Sequence, residues 1–441
     1  MTVNWFSPVP PAKSSIALDA AAVLPALARR AHVVLWTHEA GWSRELEQHA
    51  DVRLYNPETM PWDDIDLADA TFYHIGNHAG YHGPIWKVNQ QHPGIVVLHD
   101  LSLQHLFAGL LVASPSPNKS EYVELMEFHH SSNGRQAAEA FLAGTLRVDE
   151  LSAEYPLTGA AIEHALGVAV HTKIGQAQLA SSADLPVAYV PLFAPQDAPR
   201  FQPAPASREP RNGHAYRIVM FGFLGFNRRI EPLLQALHQL PARERFHLHV
   251  YGTLPDKKAV LQTVDLLGLR SLVTVHGFVP ETELNGALAD ADLAINLRDP
   301  SMGEASSTQL RIWHHGLPSL VTDTGWYATL PADTVAKVHR ETEVEDIIAH
   351  LEAFLAKPER YRQIGKNGRR HVDEHHTIEA YLDGLMELVD ATRAYRPRES
   401  ARWVAGRAGQ AMRAWFTADG AEILLPRVEC AIRDLCRAGD E

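Results

Sequence analysis

The chain has 441 residues, 46% of them hydrophobic and 21% charged, enough for two or three domains at about 150 residues each. Its 40 Lys and Arg against 53 Asp and Glu give a formal net charge of −13. That balance argues against a protein that grips nucleic acid through its whole surface, because neutralising phosphates needs a basic face.

The opening MTVNWFSPVPPAKSS lacks the charged and apolar regions of a secretory signal. No apolar run in the chain reaches about 18 residues, so no transmembrane helix is predicted. The expected location is the cytoplasm. IALDAAAVLPALARRA (16–31) has a helical pattern. HVVLWT (32–37), ATFYHIG (70–76), GIVVLH (94–99), GVAVHT (167–172) and VAYVPL (187–192) are near-continuous apolar runs bounded by polar residues, Gly or Pro. Such runs are predicted to be parallel strands covered on both faces.

From Ala194 to His214 the apolar period disappears and prolines accumulate, which predicts a linker. The alternation then restarts with strands at YRIVMFG (216–222), FHLHVYG (246–252), LVTVHGF (272–278), DLAINL (292–297) and PSLVTD (318–323). Helices are predicted over 229–240, 256–268 and about 304–315, and through 344–395. The reading is α/β, as two doubly wound halves. Its domains are 1–194, a linker 195–214, a second domain 215–390 and a helical tail 391–441. Ligands of such sheets bind where strand C-termini open outward, so a cleft between the halves is the expected site. In the tail, SARWVAGRAGQAMRAWF (400–416) puts Val404, Ala408, Met412 and Phe416 on one helical face, flanked by Trp403 and Trp415. It reads either as an interfacial membrane helix or as a helix packed on the first domain. The two cysteines, Cys430 and Cys436, provide no disulfide framework or cysteine-rich zinc site.

Several residues sit where chemistry is expected. Gly222 and Gly225 follow a strand and precede a helix, where a backbone can approach an anion, and Arg228 adds a fixed charge. A plain strand–helix turn is the alternative. Gly303 precedes a predicted helix start with Glu304, Ser306, Ser307 and Thr308. That is either an anion cradle beside a sugar-binding carboxylate or a set of helix caps. His99 and Asp100 end one strand and His171 another; each histidine is a proton shuttle or a satisfied structural group. His74, His78 and His82 are four apart, but Gly76 and Gly80 interrupt that stretch and no HExxH occurs, so no metal is expected. GxGxxG and GxSxG are also absent, which disfavours a nicotinamide dehydrogenase and a serine hydrolase.

In order and spacing, FSPVPPAKSSIALDAAAVLPALARR (6–30), YHIGN (73–77), PGIVVLHDLSLQHL (93–106), FGFLGFNRRIEPLLQAL (221–237), DADLAINLRDPSMGE (290–304) and GLPSLVTDTGW (316–326) resemble the retaining GT-B glycosyltransferases of family 4, bacterial polysaccharide-assembly type. The resemblance implies two Rossmann-like domains facing across a cleft, with a C-terminal helical crossover. It also implies transfer of a hexose, with GDP-mannose preferred, from a nucleotide-diphosphate sugar to a glycan or lipid-linked acceptor. Retention in the family is explained by front-face attack. No metal or cofactor is implied, the donor being a substrate, and peripheral contact with the inner membrane is consistent with it.

Carried onto this chain, the family roles make His99, Glu304 and Arg228 catalytic. Donor-binding residues would be Gly222, Gly225, Arg229, Gly252, Phe278, Val279, Gly303, Ala305, Ser306, Ser307, Thr308 and Arg311. Ser14, Ser15, Asn77, Asp100 and His171 would lie on the acceptor side. Three positions depart from the family pattern. Ser14-Ser15 stands where glycine is usual and Phe223 where arginine is usual. Arg311 stands in place of the second glutamate. These departures keep two alternatives open, a GT-B nucleotide-sugar epimerase and a catalytically silent sugar-nucleotide-binding or scaffold protein.

Overall fold

The computed structural model describes residues 1–194, 215–393 and 395. The predicted linker 195–214 and the 400–416 segment lie outside these residues. The described chain forms two compact units, one from Met1–Val190 with the chain from Leu382 onward, the other from Pro191–Tyr381.

The first unit contains strands β1 (Thr2–Phe6), β2 (His32–Thr37), β3 (Asp51–Leu54), β4 (Ala70–Ile75), β5 (Gly94–Leu98), β6 (Ala165–Val170) and β7 (Val187–Tyr189). They form a seven-stranded sheet in the order β3-β2-β1-β4-β5-β6-β7, all pairs parallel. Its helices are α1 (Ser15–Leu27), α2 (Trp62–Ile65), α3 (Ala79–Asn89), α4 (Gln104–Leu111), α5 (Lys119–Leu142), α6 (Val148–Glu154), α7 (Thr158–Ile162) and α8 (Lys173–Ser182). β1 was not expected, because Asn4 interrupts its apolar run. The fold uses that asparagine as a buried connector: its amide donates to the Ile65 carbonyl at 2.8 Å, and its oxygen accepts from Trp36 Nε1 at 2.9 Å. A buried polar side chain is tolerated when its hydrogen bonds are met in this way.

The second unit contains β8 (Tyr216–Phe223), β9 (Phe246–Thr253), β10 (Val273–Gly277), β11 (Leu293–Asn296), β12 (Ser319–Thr322) and β13 (Ala336–Val338). Their order is β10-β9-β8-β11-β12-β13, again all parallel. Its helices are α9 (Ile230–Gln239), α10 (Lys257–Leu266), α11 (Glu281–Ala289), α12 (Ser307–His314), α13 (Gly325–Ala328), α14 (Glu343–Ala356) and α15 (Pro358–His375). A further helix, 378–393, carries the chain back into the first unit. Both units are Rossmann-like. In each the strand order runs outward in two directions from β1 or β8, with β1–β4 and β8–β11 the pairs across which the order reverses. The loops after those strands therefore open at a topological switch point, where open α/β sheets hold ligands.

The sheet of the second unit is covered on both faces. Ile218, Met220, Leu248 and Val250 pack with α9 and α14 residues such as Leu233 and Leu351. Val219, Phe221 and Tyr251 pack on the other face with Leu288 and Ile312. Alternate residues of one strand thus enter two cores, which accounts for the unbroken apolar runs.

Candidate functional site

In the second unit, the ends of β8 and β9 are locked together by glycine. Gly222 and Gly252 are register partners with φ +111° and +108°, and a Cβ on Gly252 would lie 2.1 Å from the Gly222 carbonyl oxygen. Only glycine fits there. A Cβ on Gly222 would lie 3.7 Å from Thr308 Oγ1, so the N-terminus of α12 abuts the end of β8. Gly225, by contrast, has φ −73°, and its backbone does not require glycine.

The helix expected from about residue 304 begins three residues later. Ser306 is its N-cap and accepts from the Gln309 amide at 3.1 Å, while Gly303 has φ +80° and holds the preceding loop out of helical geometry. Ser306 therefore serves the helix as a cap, and Glu304 and Ala305 precede it. Ser307 and Thr308 form the first turn, whose N–H groups have no partner inside the helix. The cap is anchored by a buried polar cluster: Asn296 Nδ2 donates to Gln309 Oε1 at 3.0 Å, and Gln309 Nε2 donates to Ser319 Oγ at 2.8 Å.

Arg228 is 2% exposed. Its Nη2 donates to the Phe221 carbonyl at 3.1 Å, and its Nε has no hydrogen-bond partner among the described residues. Burial, and then the neighbouring Arg298 charge, push the guanidinium down to about 9. The phenol oxygen of buried Tyr327 likewise has no partner among the described residues. Glu304 is held from both sides. Its Oε1 lies 3.0 Å from Arg298 Nε, and its Oε2 accepts from the Met302 amide at 2.7 Å and from Ser301 Oγ at 3.3 Å. Two guanidiniums and a fixed carboxylate, beside a strand-end glycine and a helix first turn, suit a ligand that is anionic at one end and hydroxylated at the other.

Two residues grouped with the donor site are committed elsewhere. Arg229 forms an ion pair with Glu343 at 2.6 Å and takes a left-handed φ of 58° to do so at the start of α9. Arg311 bonds Asn285 Oδ1 at 2.6 Å and pairs with Glu281 at 2.5 Å, tying α12 to α11. Phe278, which follows β10, is 61% exposed, whereas Val279 packs against the Phe221 and Tyr251 cluster.

In the first unit, the ends of adjacent strands bring together buried His74 and His171 and half-buried His99, and the first turn of α3 adds buried His82. His74 Nδ1 and His99 Nε2 are 3.0 Å apart, and the rings of His99 and His171 are centred 4.9 Å apart. His82 Nδ1 donates to the His74 carbonyl at 2.9 Å, and His171 Nδ1 to the Val190 carbonyl at 2.8 Å. Those carbonyls fix the tautomer of each ring, because a carbonyl only accepts. Burial pushes His82 and His171 down to about 4. It also holds His74 and His99 well below the ordinary histidine value, aided by the neighbouring His171. All four are neutral near pH 7, so His99 is an imidazole there and not a cation.

The metal-like spacing of His74, His78 and His82 spans a strand, the N-cap of α3 and its first turn. Among the described residues no group of three or more His, Cys, Asp and Glu is placed to hold a metal ion. Asp100 accepts from the Asn77 amide at 2.9 Å, and Asn77 Oδ1 accepts from the Leu106 amide at 3.1 Å, so these two join the loops after β4 and β5. Ser14 is the N-cap residue of α1 without a side-chain cap bond, and Ser15 is exposed.

Sequence reading passed over Arg298 and Tyr327, and weighed His74 only for its spacing from His78 and His82. Arg298 follows β11 as His99 follows β5, so the strand-end rule that selected His99 applied to it equally. Tyr327 is brought in by tertiary packing and carries no such signal.

Residues 206–371 match the family model described as Glycosyl transferases group 1. A search of curated proteins returns no match. Among solved structures, HepE of Anabaena in complex with UDP is similar at 15% identity and TM-score 0.59, over 88% of this chain and 100% of that one. Sucrose-phosphate synthase of Thermosynechococcus elongatus is similar at 16% identity and TM-score 0.61, covering 88% and 98%. WaaG, a glycosyltransferase of lipopolysaccharide biosynthesis, is similar at 16% identity and TM-score 0.54, covering 89% and 100%. The chain thus has the GT-B type of fold, and its residues 206–371 are similar to the group 1 glycosyl transferase model.

Proposed function

We propose that the protein is a glycosyltransferase that moves a hexose from a nucleoside-diphosphate sugar to a glycan or lipid-linked acceptor, with retention and without a metal. The observation that carries this reading is Arg228: a buried guanidinium whose Nε has no hydrogen-bond partner among the described residues, set beside the strand-end Gly222 and Glu304, within the residues matched by the family model. A buried cation of this kind is stabilised by an anion, and a departing diphosphate supplies one. In the proposed reaction the acceptor hydroxyl oxygen bonds to the anomeric carbon on the face that the phosphate oxygen leaves. The leaving oxygen takes the hydroxyl proton. Glu304 accepts hydrogen bonds from sugar hydroxyls, and neutral His99 lies on the acceptor side. The residue set given to the base is Phe278 and Val279.

GDP-mannose is the donor favoured by the sequence resemblance. HepE was crystallised with UDP and with UDP-glucose, which puts UDP-sugars on an equal footing as donors to be tried. The test is nucleotide release from a panel of GDP- and UDP-sugars with and without acceptor glycans, followed by NMR of the product anomer. Turnover is expected with one donor class, with a retained anomer. Arg228→Ala and Glu304→Ala are expected to lower kcat/KM by about a hundredfold or more. Wild-type rates in both variants would remove this site. An inverted anomer would overturn the retaining mechanism, and donor isomerised without acceptor would identify an epimerase. Peripheral association with the cytoplasmic membrane face is proposed through the 400–416 segment. Equal liposome pelleting by the full chain and a 1–396 truncation would reject it.

A further inference from the structure

Resting on the glycosyltransferase reading above, we propose that His74 is a positioning residue for His99. It holds His99 as the tautomer protonated on Nδ1, so that His99 meets its ligand as a neutral hydrogen-bond donor and not as a base. The ring of His74 is fixed on several sides. β4 pairs with β5, and the His99 amide donates to the Ile75 carbonyl at 2.9 Å, which brings the two strand ends together. His82 Nδ1 holds the His74 carbonyl at 2.9 Å, and the ring of Trp5 on β1 is centred 4.4 Å from the His74 ring. His74 is 3% exposed, whereas His99 is half-buried. The 3.0 Å between His74 Nδ1 and His99 Nε2 is a hydrogen bond that two neutral imidazoles make in one direction or the other, with one proton between them.

The surroundings choose the direction. If His99 donated from Nε2, His74 would carry its own proton on Nε2, a buried nitrogen with no hydrogen-bond partner among the described residues. The indole N–H of fully buried Trp5 has no partner among them either. That direction would bury two N–H groups without acceptors against each other. If His74 donates from Nδ1, its Nε2 is a bare lone pair, and the Trp5 N–H is the one unmet donor of the pair. Folded proteins leave buried N–H groups unmet less often than acceptors, so the second direction is favoured. His171, the other ring beside His99, commits its Nδ1–H to the Val190 carbonyl at 2.8 Å. With Nε2 occupied by the His74 proton, His99 has Nδ1–H for a ligand oxygen. It is then not placed to take a proton from an acceptor hydroxyl. That agrees with the proposed reaction, in which the leaving phosphate oxygen takes that proton.

The tautomer is read by proton–nitrogen correlation NMR of the histidine side chains in the full-length protein near pH 7.5, with His99 assigned by the resonances lost in His99→Gln. The wild type is expected to show His99 protonated on Nδ1 and bare on Nε2. His74→Leu removes the donor; it is expected to leave His99 a mixture of tautomers and to lower kcat by about tenfold, with the donor KM within about twofold of wild type. His74→Asn carries an amide nitrogen on Cγ, as histidine carries Nδ1, and is expected to restore both the Nδ1 proton and most of the turnover. A His74 that served packing alone would not tie the tautomer to the turnover in this way. If His74→Leu does not fold, the wild-type and His74→Asn spectra decide. His99 protonated on Nε2 in an active wild type overturns the inference and leaves the glycosyltransferase reading standing. So does a His74→Leu variant that keeps either the fixed Nδ1 proton or wild-type kcat. A wild type that turns over no nucleotide sugar sinks that reading, and the positioning role with it.

Discussion

At the scale of single residues, the two arginines that follow one another in the sequence do different work. Arg228 turns inward beside Gly222, its Nε without a hydrogen-bond partner among the described residues, whereas Arg229 closes on Glu343, whose side chain is 5% exposed. Breaking that pair leaves a buried carboxylate uncompensated, which costs about 3–5 kcal/mol. Arg229→Ala is therefore expected to lower the denaturation midpoint strongly while leaving nucleoside diphosphate affinity within about twofold of wild type. A large loss of affinity in the folded variant would return Arg229 to the donor site. Gly252 is the other residue whose replacement has a defined outcome. At φ +108°, with the Gly222 carbonyl 2.1 Å from any Cβ, Gly252→Ala must displace the end of β8 or β9. The expected loss is about 2 kcal/mol or more, read by urea denaturation, because a strained backbone and a steric clash add.

At the scale of elements, the donor side depends on where α12 begins. The sequence GEASSTQ offers three hydroxyl residues and a glutamate as possible starts. Ser306 is selected because Asn296 and Gln309 are already buried beneath it and its Oγ completes their network. Ser306→Ala removes the cap and is expected to cost about 1 kcal/mol of stability. Its effect on donor affinity is expected to be modest, since the N–H groups of Ser307 and Thr308 remain; a loss equal to that of Arg228→Ala would show that Ser306 touches the ligand directly. The strands were easier to read than this helix end. Strands buried on both faces produce unbroken apolar runs whose limits are marked by Gly, Pro and charge, and β2 spans the six residues His32–Thr37 predicted for it. β1 was hidden by Asn4, and β3 and β13 by their length of four and three residues.

For the molecule as a whole, the first unit carries a pH-sensitive store of buried imidazoles. In His82 and His171 the folded value, about 4, lies below the unfolded one near 6.5. The unfolded chain therefore binds more protons between those limits, and stability falls as the pH drops from about 6.5 towards 4. Each of these histidines contributes about 1.4 kcal/mol per pH unit within that window. Chemical denaturation at pH 7 and pH 5 is expected to show this loss, and His82→Gln with His171→Gln to make it shallower, with His74 and His99 still contributing in the same direction. An equally steep profile in the double variant would place the proton uptake elsewhere.

The amino-acid sequence alone was sufficient for the α/β class and for most strands, because burial on two faces is written locally in apolar runs. It also singled out Arg228, Glu304 and His99, since strand ends and loop glycines carry their own local signature. Tertiary structure decided which neighbours those residues have. Arg298 comes to Glu304 from the exit of β11, Tyr327 reaches Arg228 from α13, and His74 meets His99 across two paired strands. Residues far apart in the chain become partners only when a sheet aligns its strand ends. No spacing rule along the sequence encodes that alignment, and the charge balance of the site depends on it.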